Sequence, residues 1–277
     1  MSGLKQNRTK RVLEEGGVAF GSLSLLPEPA IGELLGATGY DFLIIDTEHV
    51  SVAGRDVEGA IRGCEAAGVT PFVRVRRVDE THILPVLDAG AQGIVVPLVE
   101  SRAAADAAVA LTRFPPVGSR TLCSATRSAG HGAYRDNLTG YLEHANRETL
   151  VVGLIETPEG VARAEEIVRS DLDVFFVGRA DLSLHMGLGY APSHPDVVEA
   201  SRRVLGAALA AGKAAAIIAY DLAQAAQWLS FGCTFVVYSQ PEMVLTDFYR
   251  TGRGELGKLA ATSRPAATSR TESATAC

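Results

Sequence analysis

Apolar residues come in short unbroken runs, and most runs are followed by a longer alanine-rich stretch compatible with a helix. The runs predict strands at Val18–Leu23, Asp41–Ile45, Thr70–Val75, Gly93–Pro97, Leu150–Ile155, Asp173–Val177, Ala214–Ile218 and Thr234–Tyr238. Helices are expected at Val57–Ala67, Ile83–Ala89, Ala103–Phe114, Val161–Arg169, Val197–Ala211 and Leu222–Phe231. Within the strand runs apolar residues do not alternate with polar ones, as expected when both faces of a parallel sheet are covered. Gly68, Gly90, Gly212 and Gly232 each stand just before a strand, where glycine accepts a left-handed helix cap at no steric cost. A repeated β–α unit restricts the choice to a doubly wound sheet or a barrel. Eight candidate strands, with no GxGxxG opening the first unit, favour a single-domain (β/α)8 TIM barrel of the α/β class. The barrel is assigned to residues 1–257, and residues 258–277, rich in Ala, Thr, Ser and Arg, are read as a disordered tail. Pro115–Thr149 shows little periodicity and reads as a long loop, functional or partly ordered.

Composition narrows the partners. The net charge of −6, from 32 acidic and 26 basic residues, forms no basic block of the kind that phosphate binding needs, so nucleic acid is not expected. The longest apolar runs fall far short of the roughly 20 residues that span a bilayer. The polar N-terminal stretch lacks the apolar core of a secretion signal, which predicts no membrane association and a cytoplasmic address. No pair of the four cysteines has CxxC spacing. Cys64, Cys123 and Cys233 are expected to be small buried hydrophobes.

In a barrel the chemistry lies where strands run into the loops that follow them. There the chain carries Asp46-Thr47-Glu48-His49, then Arg74, Glu156 and Gly178-Arg179-Ala180-Asp181. Each has a plainer reading: Asp46, Glu156 and Asp181 as helix caps, His49 as an idle loop residue, Arg74 as part of a solvated cluster with Arg76 and Arg77. Charge recurring at four equivalent strand ends weakens those readings. Two carboxylates without a Cys or His partner suit a hard divalent ion, Mg²⁺ or Mn²⁺, with Co²⁺ admissible. Such an ion chelates a 2-oxo acid and acts as a Lewis acid as its enolate forms. Arginine supplies fixed positive charge for the oxyanion, and histidine shuttles protons near neutrality, with Asp46 orienting its ring. Lys213, the one lysine near a strand, sits where that strand begins, which disfavours an imine mechanism.

The segments DFLIIDTEHV, TPFVRVR, LPVLDAGAQGIVVPLVES, FPPVGSR, LIETPEGVARAEEI, DVFFVGRADLS and HPDV resemble the HpcH/HpaI aldolases, in family order across about Gly16–Phe248. These are class II pyruvate aldolases, such as hydroxyheptenedioate and 2-dehydro-3-deoxyglucarate aldolases, with macrophomate synthase a relative. The resemblance implies a barrel of the phosphoenolpyruvate/pyruvate type. It implies His49 as acid/base with Asp46 as its partner, Arg74 on the keto-acid oxygen, and Glu156 and Asp181 on the metal. It implies backbone amides around Gly178 for the substrate carboxylate, with Arg179 and Ala180 in the same subsite. Asp88 would reach a neighbouring subunit's site in a hexamer of paired barrels that exchange the C-terminal helix. The chain departs from the family pattern at Leu154 (commonly Gln), Arg179 (commonly Pro), the segment LCSATRSAGHG with Cys123 and His131, and Tyr238–Glu242. Arg179 and His131 are therefore read as contacts for an unusual acceptor.

The expected function is metal-dependent carbon–carbon bond making or breaking through the enolate of pyruvate or a related 2-oxo acid, with an aldehyde or other electrophile as second substrate. Rival readings are an oxaloacetate-type decarboxylase or synthase, a citramalyl- or malyl-thioester lyase, and a non-catalytic binding protein on a decayed scaffold. The DTEH segment disfavours the thioester lyase, and the intact His49, Arg74, Glu156 and Asp181 disfavour the decayed scaffold.

Overall fold

A computed structural model describes residues 5–263. Eight parallel strands close into a barrel in sequence order: β1 (Ala19–Ser24), β2 (Phe42–Asp46), β3 (Thr70–Arg74), β4 (Gly93–Val96), β5 (Leu150–Ile155), β6 (Val174–Val177), β7 (Ala214–Ala219) and β8 (Phe235–Tyr238). β8 returns to pair with β1 through Ala19↔Phe235 and Gly21↔Val237. All eight predicted strands are present, displaced by no more than a residue at either end.

The helices are α1 (Arg8–Glu14), α2 (Pro29–Ala37), α3 (Gly54–Ala66), α4 (Glu80–Asp88), α5 (Arg102–Thr112), α6 (Leu138–Glu148), α7 (Pro158–Ala162), α8 (Ala164–Ile167), α9 (Arg179–His185), α10 (Pro195–Ala210), α11 (Leu222–Phe231) and α12 (Pro241–Thr262). The stretch predicted as one helix at Val161–Arg169 is two short ones, broken at Arg163. Pro115–Thr149 is not one irregular loop: α6 occupies its end, with Asn137 capping it through Gly140 N–H. The proposed tail boundary at 258 falls inside α12, which continues to Thr262; residues 264–277 lie outside the described residues. Among the described residues, those from Glu242 to Ser263 form a unit of their own.

Strand residues still alternate between inside and outside, although both faces are buried. Phe42, Phe72 and Phe235 fill the lower interior, Phe42 and Phe235 stacking at 4.0 Å between ring centroids, with Phe72 edge-on to both. Glycine makes room for them: a Cβ at Gly21 would lie 2.2 Å from the Phe42 ring, and one at Gly93 2.2 Å from the Phe72 ring. Above lie Leu23, Ile44, Val95, Leu154, Phe176 and Val237, with Ile218 packed against them. Carried one step further, the same alternation sets Asp46, Arg74, Glu156, Gly178 and Tyr220 inward at the top. The outward residues, including Val73, Val151, Phe175 and Ile217, meet the helices.

Candidate active site

The carboxyl ends of β2 and β3 are tied by a two-pronged ion pair. Arg74 donates from Nε to Asp46 Oδ1 at 2.9 Å and from Nη2 to Asp46 Oδ2 at 2.8 Å. Asp46 has no exposed surface. Burial pushes its pKa up, but the hydrogen bonds and charge of Arg74, with the Glu48 N–H, outweigh that and hold it below its ordinary value. This corrects the expected Asp46–His49 ring pair: Asp46 spends its oxygens on Arg74 and on the backbone N–H groups of Glu48 (2.9 Å) and His49 (3.4 Å). It orients the histidine's backbone, not its ring.

The carboxylate beside the His49 ring is Glu48, which sequence reading missed. Its Oε2 lies 3.5 Å from His49 Nε2 and 3.3 Å from Arg74 Nε. Burial raises the Glu48 pKa, opposed by Arg74 and His49. The loop bearing both residues is clamped to β3, because Thr47 Oγ1 donates to Arg74 O at 2.7 Å. Arg76, read as solvated, donates to Thr47 O and Val50 O at 2.9 and 3.0 Å. Arg76 is nonetheless exposed, as is Arg77, which pairs with Asp79.

Glu156 follows β5 and is buried. It is not a helix cap, since Thr157 caps α7 through Gly160 N–H. Its Oε1 accepts Leu98 N–H at 3.0 Å, from a residue with φ of 54°. Its Oε2 fills space that only glycine leaves free, for a Cβ at Gly178 would lie 2.5 Å away. Burial drives the Glu156 pKa up to about 8, helped by the charges of Asp181 and Glu48 and opposed by the Leu98 N–H and Arg74. His185, also missed, has Nδ1 at 3.1 Å from Glu156 O and 3.0 Å from Asp181 O. Both neighbours are acceptors, so this nitrogen carries the proton and draws the two carboxylate-bearing segments together.

Four other predicted residues stand differently. The Gly178 N–H donates to Ile155 O at 3.0 Å, so the first-turn amides of α9 open to a ligand begin with Arg179 and Ala180, for which no partner is found among the described residues. The Arg179 side chain is buried and committed to Ile218 O (2.8 Å), Pro192 O (3.3 Å) and Gln224 Oε1 (3.2 Å), with its guanidinium over Trp228. That corrects its assignment as a side-chain contact for substrate. Asp88 ends α4, near where β4 begins and so at the opposite end of the barrel, and accepts from Arg120 at 2.9 Å. His131 lines a cavity at that same end with Gln92, Arg120 and Thr149, so it is not part of this chain's own mouth. Leu154 is core beneath Glu156. Cys64 and Cys233 are buried as expected, whereas Cys123 is exposed.

A closed barrel with its ionisable residues gathered at the carboxyl ends of the strands has the layout of a barrel enzyme. Residues 23–240 match the HpcH/HpaI aldolase/citrate lyase family. The chain belongs to that family and is a carbon–carbon lyase. It is 37% identical over 235 residues to a hydroxypyruvate/pyruvate aldolase of Paraburkholderia phytofirmans, covering 84% of this chain and 86% of that one. A solved family member from Burkholderia cenocepacia shares 34% identity with a TM-score of 0.84, over 91% of this chain and 99% of that one. The structure of the citrate synthase SbnG shares 30% identity with a TM-score of 0.81, over 93% of this chain and 99% of that one.

Proposed function

We propose that this chain makes or breaks a carbon–carbon bond through the enolate of pyruvate or a related 2-oxo acid, with Glu156 and Asp181 holding a divalent metal ion. The observation that carries the reading is the environment of Glu156. A carboxylate buried deeply enough to hold its proton to about pH 8, beside Asp181 and Glu48, is an arrangement that added positive charge would relieve. Oxygen-only donors fit Mg²⁺ or Mn²⁺, which keep several waters and need few protein ligands. When bound, the ion would polarise the keto oxygen as a Lewis acid.

The chain's own groups account for the rest. Arg74, with Nε and Nη2 held by Asp46, keeps Nη1 for the oxygen on which enolate charge collects. The N–H groups of Arg179 and Ala180 receive the substrate carboxylate. His49, its side chain 56% exposed and its Nε2 3.5 Å from Glu48 Oε2, exchanges a proton with the second substrate.

The family resemblance adds a shared assembly, and two features support it. An apolar recess of about 360 Å³ lies on the barrel's outer face, lined by residues that include Phe20, Tyr40, Leu222, Leu229, Val236 and Tyr238. α12 has no buried residue and exposes Leu245, Phe248, Tyr249, Leu256 and Leu259. We assign the recess to α12 of a second copy, and Asp88 to a neighbouring copy's mouth. Similarity to a citrate synthase favours a second reading, condensation of an oxaloacetate-type acid, which uses the same enolate.

The test is exchange of the pyruvate methyl protons in deuterated buffer, followed by NMR. Exchange that needs Mg²⁺ or Mn²⁺ and is lost with EDTA and in Glu156→Ala is expected. Silence with pyruvate, together with no turnover of oxaloacetate, would remove the enolate reading.

A further inference from the structure

Glu156 and Asp181 stand on different elements, one at the end of β5 and the other in the first turn of α9. The Glu156 carboxyl is seated on Leu98 N–H, but no hydrogen-bond partner is found for the Asp181 carboxylate among the described residues. The place of Asp181 is therefore set by where α9 is held. α9 is seven residues long with no side-chain cap at its start, too short to keep its own direction. Arg179 and Ser183 tie it to Ile218, Pro192, Gln224 and Ala191, all later in the chain. Towards β5 it has two ties. Gly178 N–H donates to Ile155 O at 3.0 Å. His185 Nδ1–H reaches Glu156 O at 3.1 Å while also meeting Asp181 O at 3.0 Å. The two β5 carbonyls are consecutive, and Asp181 lies between the two points of attachment. The first tie is backbone alone; the second depends on the side chain at residue 185. His185 is exposed, so it fills no core space and its loss leaves no cavity. What the tie resists is repulsion, because the charge of Asp181 acts on Glu156 and two ionised carboxylates push apart.

We propose that His185 is a positioning residue for the metal ion, fixing the span between Glu156 and Asp181 before the ion binds and so favouring a small octahedral cation over Ca²⁺. The proposal rests on the metal reading above. Mg²⁺ and Mn²⁺ suit octahedral sites, Mg²⁺ needing near-ideal geometry at short distances, whereas Ca²⁺ accepts six to eight oxygens in irregular arrangements. A fixed span gives the small ion both carboxylates without rearrangement. A loosened span costs the small ion its fit and costs Ca²⁺ little. His185 meets the carbonyls of the two residues, not their carboxylates, so it acts through them.

The test titrates the enzyme with MnCl₂, reading free Mn²⁺ by electron paramagnetic resonance, and then displaces the ion with CaCl₂. Three variants are compared with the unmodified chain. His185→Asn places an amide N–H where Nδ1 stood, His185→Gln carries it one bond further out, and His185→Leu has none. The Gln and Leu variants are expected to raise the Mn²⁺ Kd about tenfold while the Ca²⁺ Kd stays within about threefold. The Asn variant should keep both within about threefold. Unchanged Mn²⁺ binding in the Gln and Leu variants, equal losses in Asn and Gln, or parallel losses for the two cations would each overturn the proposal. If the Leu variant folds poorly, the Asn and Gln pair decides the matter. Failure of the unmodified enzyme to bind Mn²⁺, or unaltered binding in Glu156→Gln, would instead overturn the metal reading, and this one with it.

Discussion

Glu156 sets the active site against the stability of the fold. From its ordinary value of 4.5 up to about 8, the unfolded chain releases this proton while the folded chain keeps it. The folded state then binds more protons, so this group's contribution to stability falls as pH rises through that window. Glu156→Gln keeps an acceptor for Leu98 N–H and removes the titration. In metal-free protein we expect it to gain on the order of 1–3 kcal/mol over the parent at pH 8, with the gain shrinking towards pH 5. Paired thermal melts at the two pH values check this; equal melting temperatures at both would contradict it. The same substitution should abolish Mg²⁺-dependent stabilisation. The sequence shows Glu156, Asp181, Arg74 and His49 as charges at or just past strand ends, because the limits of the apolar runs suffice to place them. It does not show that Asp46 faces Arg74 rather than the histidine ring. Two acceptable partners lie within reach of one carboxylate, and only the guanidinium matches both of its oxygens.

At the level of the strand, the barrel depends on small residues opposite large ones. Gly21 and Gly93 are needed because aromatic rings occupy the space of their missing side chains, not because of their backbone angles. Gly21→Ala must displace the Phe42 ring, which is stacked on Phe235, so a loss of about 1–3 kcal/mol is expected. Urea unfolding monitored by circular dichroism would measure it, and an unchanged midpoint would show that the ring has room to move. The strands were legible because each is a short apolar block bounded by turn residues. α2, α9 and α12 were not, for different reasons. α2 contains glycine and proline, α9 is seven residues long, and α12 presents its apolar residues without burying them. Arg179 reads as a substrate contact because it stands where the resembling family commonly has proline, two residues before Asp181. Its three acceptors come from Ile218, Pro192 and Gln224, distant in sequence, so no local pattern reports them.

For the whole molecule, the open recess and the unburied helix lead to one expectation. A chain ending at Pro241 keeps all eight strands but lacks the apolar surface of α12. We expect light scattering to show a multimer for the full chain and a smaller, aggregation-prone species for the shortened one. A monomeric full-length chain would remove the shared-site assignment of Asp88 together with the exchange of α12.

The grip of Asp46 on Arg74 has a consequence for the energetics of substrate capture. An arginine carries about 2 kcal/mol of rotamer freedom, which a flexible side chain surrenders when it closes on a ligand. Here that freedom is surrendered as the barrel folds, since both prongs are seated on a carboxylate with no exposed surface. If Arg74 receives the acid as proposed, the protein's half of the ordering is complete before the ligand arrives. What remains to oppose association is the stripping of water from the ligand and from the one guanidinium nitrogen left to meet it.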